Sequence, residues 1–486
     1  MALTTGPLKF LGFRRSLLTL SRHFLVKFKH CVPADSFKDV KCRDEDCDDF
    51  LPWLENKAGM EISSVLSIGT SKYGRSLFAS KNIQAGDCLL KVPFDVQISP
   101  DNLLPEIKSL IGEEVGHTAK LAVVVLLEQR KGQDSEWAPY ISRLPKPGDM
   151  HSTIFWSEDE LEMIRQSPVF QETVDQRAQI RKNYLAVKPA LDHFPEIFEH
   201  VRFDDFRYAC GLVSSRAWGS LKGLSLIPFA DFLNHDGTSQ SVVLTDEDRQ
   251  ISEVVADRNY IPGDEGPKDG GNHSTVTGHK GQVLIRYGKF PNSALLLDFG
   301  FTVSSNIYDQ VWIQVDIPYH DHLRELKLDL LHSYWLRMIK DASFSSAGGS
   351  FLIKKVKSSR GKGKGIPQSL RAFARVMSCA SSQELRDVAV EASQNDGRLA
   401  RHPLINQRKE LQAHHILLSL FDELIEKYDM SIKSLHALKS ATNSSAFMLR
   451  RQMAWDLLRG EVDVLRSASA WLKNYCFSCQ QQSLIL

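Results

Sequence analysis

The sequence lacks the signatures of the common cofactor folds, and those absences narrow its chemistry before any motif is considered. No GxGxxG opens a helix after a strand, which argues against a doubly wound dinucleotide site. Gly361-Lys362-Gly363-Lys364-Gly365 has the residues of a phosphate loop but neither its order nor a buried strand before it. GxSxG and HExxH are missing, which removes the hydrolase elbow and the zinc-protease helix. No apolar run reaches the ~18–20 residues that span a bilayer. Charge is also in balance: 60 Lys and Arg against 59 Asp and Glu leave no overall field for nucleic acid or membrane. Eight cysteines scattered over 486 residues do not make a disulfide framework. The pairs Cys42/Cys47 and Cys476/Cys479 lack zinc-site spacing, so reduced thiols and no metal are expected.

The N-terminus lacks acid. From Met1 to Ala34 there is no Asp or Glu, while Lys9, Arg14, Arg15, Arg22, Lys27 and Lys29 alternate with Leu and Phe. That pattern predicts an organellar transit peptide over residues 1–45, leading to a mitochondrion or chloroplast. Beyond it, residues 64–98 read as strands punctuated by Gly69, Gly74, Gly86 and Pro93. Residues 101–205 switch to helical signals, including a buried helix over Leu121–Leu127 that ends at Gly132. Strand signals return at Leu224–Ile227, Ser241–Leu244, Ile251–Ala256, Val283–Tyr287 and Val311–Val315. Helices are expected at 322–340, 368–377 and 407–428. This order fits an α+β fold with a helical insertion better than a βαβ alternation. Lys354–Gly365 carries six basic residues, three glycines and no acid, and reads as a solvated loop.

Four segments carry the chemistry: Tyr73–Ala79, Ser215-Arg216-Ala217-Trp218, Ile227–Asp236 and Val283–Phe301. Singly each is ordinary, since an Asn-His dipeptide is usually a turn. Together with SEWAPYISRLP at the insertion, PFADFLNHD and VLIRYG…LLLDFGF, their order resembles the SET-domain lysine methyltransferases. The likeness is to the plant-type subfamily of the Rubisco large-subunit methyltransferase, and it runs from about Phe50 to Phe301.

The resemblance implies a SET domain of short β-sheets over 46–315, interrupted by the helical insertion, then an all-α substrate-binding domain over 316–486. It implies S-adenosylmethionine as cofactor and a protein substrate bearing an acceptor lysine, with no nucleic acid, no membrane span and a monomeric chain. Tyr73, Gly74, Arg75, Arg216, Asn234, His235 and Phe301 would hold the cofactor. Tyr287 would be the catalytic tyrosine, and Asp231, Arg216, Tyr287 and Phe299 would face the substrate. A capping role for Asp231 is an equal alternative.

Three departures bear on the substrate. Phe299 stands where the subfamily often has a tyrosine, Ser220 replaces an arginine, and the tyrosine expected soon after Asn234-His235 is not identifiable. A polar, glycine-rich insertion, Gly266–Gly281, separates Gly263-Asp264-Glu265 from the strand that carries Tyr287. It is expected to form a surface loop whose flanks still meet. Two other functions stay open on sequence: transfer to a protein histidine, and a catalytically silent SET fold that binds a partner.

Overall fold

A computed structural model describes residues 43–44, 47–71, 74–220, 223–263, 281–335, 342–344, 348–358, 362–437 and 444–483. The acid-free N-terminal stretch, Tyr73 and nearly all of Gly266–Gly281 lie outside the described residues.

The sheet that matters for the site has four strands in the order β1-β2-β9-β6. β1 (Leu66–Ser71) and β2 (Gly74–Ala79) form an antiparallel hairpin, and Gly74 takes a φ of 92° that a side chain would resist. β9 (Gln282–Ile285) pairs antiparallel with β2 through Leu77 and Val283, and all four of its residues are buried. β6 is the dipeptide Asn234–His235, parallel to β9, with Asn234 opposite Leu284 and His235 opposite Ile285. A parallel pair needs a crossover, so these two strands are joined only after the chain has travelled elsewhere. That excursion includes β7 (Val243–Asp246) and β8 (Ile251–Val255), which complete a second sheet with β3 (Cys88–Pro93) in the order β3-β8-β7. β4 (Trp218–Ser220) and β5 (Gly223–Ser225) form a separate hairpin.

The helical insertion supplies much of the first hydrophobic core. Helix His117–Lys131 has Leu121 to Leu127 buried without interruption, so it packs on all sides and not along one stripe. It stops at Gly132, whose φ is 56°. Helix Phe203–Arg216 packs beside it and buries Phe206, Ala209, Cys210, Leu212 and Val213. At Glu158–Glu162 the helix start is fixed by a reciprocal capping box between Ser157 and Glu160.

The C-terminal part is mainly helical, built on Gln368–Met377, Gln407–Ala437 and Ser445–Ser483. The all-α expectation needs one correction. β10 (Gln310–Asp316), β11 (Ala342–Phe344) and β12 (Gly348–Lys354) form a sheet in the order β10-β12-β11. In β12 the alternation of buried Phe351 and Ile353 is short and flanked by glycines and lysines, which masks it in the sequence. β10 therefore belongs with the second core, and the division expected at 315/316 does not follow the packing. That core also takes Trp156, Leu161, Ile164 and Val169 from the insertion and Leu296 from beyond Tyr287.

Polar contacts reinforce the same seam. Arg450 forms a 2.7 Å ion pair with Glu160 and donates to the Met150 carbonyl at 3.1 Å. Glu461 accepts from Ser167 at 2.9 Å and from Tyr428 at 3.0 Å, and burial pushes its carboxyl up to about 8. Next to it, a Cβ on Gly460 would stand 2.0 Å from the Asp309 carboxylate. The close approach explains a helix-weakening glycine in the middle of a 39-residue helix.

The flanks of the polar insertion are in contact. A Cβ on Gly281 would lie 2.7 Å from the Gly263 nitrogen, and Ala79 donates to the Gly281 carbonyl at 2.7 Å. Closing a shorter loop between touching ends changes stability little. Deleting residues 266–280 should leave urea-unfolding stability within about 1 kcal/mol of wild type. Loss of a cooperative transition would show that the segment is part of the fold.

Candidate active site

Ser76 is the centre of a polar knot between four strands. Its hydroxyl accepts from Asn234 Nδ2 at 2.6 Å and from Gln282 Nε2 at 3.1 Å, and donates to Ser71 Oγ at 2.8 Å. Asn234 also donates to the Arg75 carbonyl at 3.2 Å. The Asn234 side-chain NH2 thus ties β6 to β2.

His235 ties β6 to the segment after β9. The Tyr287 backbone N–H donates to His235 Nδ1 at 3.1 Å, and the Tyr287 phenol donates to the Leu233 carbonyl at 2.6 Å. Tyr287 is held by main chain and side chain to the two residues on either side of Asn234. An Nδ1 that accepts must be unprotonated. Burial holds the imidazole down to about 4, with Arg286 pulling the same way and Asp236 opposing. Burial likewise pushes the Tyr287 phenol well above its ordinary range, so it stays protonated.

Around Tyr287 lies an aromatic wall. Trp218 meets it edge-on at 5.6 Å, His235 at 5.1 Å, Phe299 at 5.4 Å and Phe301 at 6.3 Å between ring centres. His235 and Phe301 are 5.8 Å apart. All five rings are half-buried, packed on one another and still partly open. Gly300, between the two phenylalanines, has a φ of 76°, and a Cβ there would strike Ser152 N at 2.5 Å. The DFGF turn is thereby seated directly on the insertion.

Arg216, at the end of helix Phe203–Arg216, donates through Nη1 to the Asp231 carbonyl at 3.0 Å and to its carboxylate at 3.1 Å. Asp231 sits in a short 3-10 turn entered through Phe229, whose φ of 72° and ψ of −47° lie near the rare γ-turn values. The carboxylate also accepts from the Tyr140 phenol at 3.0 Å. Burial raises the Asp231 carboxyl, against the pull of Arg216 and Tyr140. The Asp231 side chain has no exposed surface and caps no helix, and it is held between Arg216 and Tyr140. Arg75 donates to the Arg143 carbonyl and lies over the Phe232 ring at 5.3 Å.

Of the expected residues, Arg75, Arg216, Asn234, His235, Tyr287, Phe299 and Phe301 converge, with Gly74 beginning the strand that holds Arg75. Tyr73 lies outside the described residues. The sequence reading missed Ser76, Gln282 and Tyr140. Ser76 and Gln282 had one available signal, a polar residue in an otherwise buried strand.

Four buried side-chain atoms here have no hydrogen-bond partner among the described residues: Arg75 Nε, Arg216 Nε, Trp218 Nε1 and Asp231 Oδ1. Three donors beside half-open aromatic rings suit a ligand with a carboxylate and a flat ring.

The chain is similar to several known methyltransferases. Residues 318–465 match the family model for Rubisco LSMT substrate-binding. The chain is 27% identical over 300 residues to the chloroplastic ribulose-1,5 bisphosphate carboxylase/oxygenase large subunit N-methyltransferase of Pisum sativum, covering 58% of this chain and 57% of that one. It is 26% identical over 306 residues to the chloroplastic [fructose-bisphosphate aldolase]-lysine N-methyltransferase of Arabidopsis thaliana, covering 60% and 58%. The actin-histidine N-methyltransferase of Gallus gallus is 25% identical over 307 residues, covering 58% and 48%. The chain thus spans less than two thirds of the length of these relatives. The structure of Rubisco LSMT bound to AdoMet superposes with a TM-score of 0.66 at 21% identity, covering 90% of this chain and 94% of that one.

The His235 contact makes a pH prediction. An unfolded histidine titrates near ~6.5. The folded value of about 4 means that the unfolded state binds the extra proton between those limits. The contribution is complete above about pH 6.5 and is lost as pH falls through about 4. Wild type should lose more stability than His235→Gln between pH 7 and pH 5, and equal slopes would contradict the buried neutral imidazole.

The chain thus has the fold of the Rubisco LSMT structures, and its residues 318–465 match the Rubisco LSMT substrate-binding model.

Proposed function

We propose that this chain is an S-adenosylmethionine-dependent protein-lysine N-methyltransferase acting on a non-histone protein of an organelle. The observation that carries the reading is the double hold on Tyr287, to Leu233 and His235, inside an aromatic wall.

S-adenosylmethionine, when bound, supplies a methyl group activated by a sulfonium. The cationic, donor-rich side of the site, Arg216 with Arg75, suits its carboxylate. His235 and Phe301 suit its adenine, and the main chain of Asn234 and His235 remains for its polar edges. A free lysine has a pKa of ~10.4 and arrives charged. Half-buried Trp218, Tyr287 and Phe299 disfavour the ammonium, so its proton is lost more readily to solvent. Tyr287 keeps its own proton and donates its O–H hydrogen bond to the Leu233 carbonyl. Its oxygen is fixed as an acceptor that orients the amine and the methyl, which is positioning more than base catalysis.

Lysine as acceptor is supported by the two plant relatives named for lysine methylation. Both are chloroplastic, and the acid-free Met1–Ala34 stretch supports an organellar destination without choosing between chloroplast and mitochondrion.

Incubation with methyl-labelled S-adenosylmethionine and organelle extract tests the reading, with mass spectrometry of the labelled residue. Label should fall on lysine, and Tyr287→Phe should reduce it on the order of 10²–10³-fold while cofactor binding persists. Label on histidine would move the acceptor to the other side chain. Cofactor binding with no label in any extract would leave a binding module.

A further inference from the structure

The segment Ser135–Pro145 contains no residue of the wall around Tyr287, yet it reaches both arginines of the site, Arg75 directly and Arg216 through Asp231. Tyr140, in the short helix Ala138–Ile141, donates to the Asp231 carboxylate that holds Arg216. Three residues on, the Arg143 carbonyl accepts from Arg75. One short stretch of the insertion therefore sets two guanidinium groups that reach the site from different elements.

That stretch is fixed from several sides. Ser135 donates to buried Glu128 at 2.6 Å, which joins it to helix His117–Lys131. Arg143 pairs with Asp49 at 2.5 Å, at the start of helix Phe50–Ala58. Lys57 from that helix lies over the Trp137 ring at 4.4 Å. Tyr208, from the helix that ends in Arg216, donates to the Pro145 carbonyl. Tyr140 itself is fully buried, with its ring 6.4 Å from that of Phe50. Such anchoring lets a single hydrogen bond define a direction, because neither partner is free to follow the other.

We propose that Tyr140 is a positioning residue: through Asp231 it fixes Arg216 for the cofactor's carboxylate, and the segment Ser135–Pro145 presets both arginines. The proposal rests on the methyltransferase reading above. Buried Asp231 is shared between Tyr140 and Arg216. Removing the phenol leaves an arginine salt bridge with one anchor in place of two, and the guanidinium gains freedom that cofactor binding must then remove. A hydrogen bond to a charged group has a large enough effect to be read in affinity.

The experiment measures affinity for S-adenosylmethionine by calorimetry, with KM and kcat on a labelled substrate, in wild type, Tyr140→Phe, Arg216→Lys and the double variant. Tyr208→Phe, which loses an anchor of the same segment without touching Asp231, controls for loosening. Tyr140→Phe should weaken cofactor binding roughly tenfold with kcat changed far less. The double variant should bind little worse than Arg216→Lys alone, because the two act in series. Tyr208→Phe should stay near wild type. Wild-type affinity in Tyr140→Phe overturns the proposal, as does a defect confined to the protein substrate's KM. Equal loss in Tyr208→Phe also overturns it, by assigning the effect to general loosening. Wild type that binds no cofactor at all takes down the methyltransferase reading and this inference together.

Discussion

The site depends on one constraint: Tyr287 must be held beside Asn234-His235, although the two lie more than fifty residues apart in the chain. The hold is a pair of hydrogen bonds to His235 Nδ1 and the Leu233 carbonyl, behind which Ser76 joins β2, β6 and β9. None of these bonds is strong alone, since a typical net contribution is about 1 kcal/mol. Their effect is directional. A buried polar knot that satisfies all its members admits one arrangement of the strands, and any slip leaves donors without partners.

The helical insertion then does more than fill space. It supplies the buried helix His117–Lys131 to the first core, and Trp156, Leu161 and Val169 to the second. From its backbone at His151–Ser152 it seats Gly300, and from Tyr140 and Arg143 it reaches both arginines. The C-terminal helix Ser445–Ser483 closes on the same insertion through Arg450 and Glu461. Helical segments outside the candidate site thus define where its side chains stand.

Much of this was legible in the residues. The helix over Gln368–Met377 matches its expected bounds, and the strand expected at Val283–Tyr287 stands at Gln282–Ile285, ending two residues before Tyr287. The convergence of Arg75, Arg216, Asn234, His235, Tyr287 and Phe301 was legible only as a resemblance, because long-range pairing leaves no local trace. β12 escaped because two alternating apolar residues are too few to set a period. Tyr140 escaped for another reason: a buried tyrosine reads as core until its hydroxyl partner is seen.

The central claim is that the Tyr287 hold builds a cofactor site at β6 and β9. A crystal structure of the protein with S-adenosylhomocysteine tests it most directly. The account predicts the ligand's carboxylate against Arg216, its adenine beside His235 and Phe301, and its sulfur facing the Tyr287 hydroxyl. Ligand density elsewhere on the molecule, or a Tyr287 released from Leu233 and His235 on binding, would contradict it.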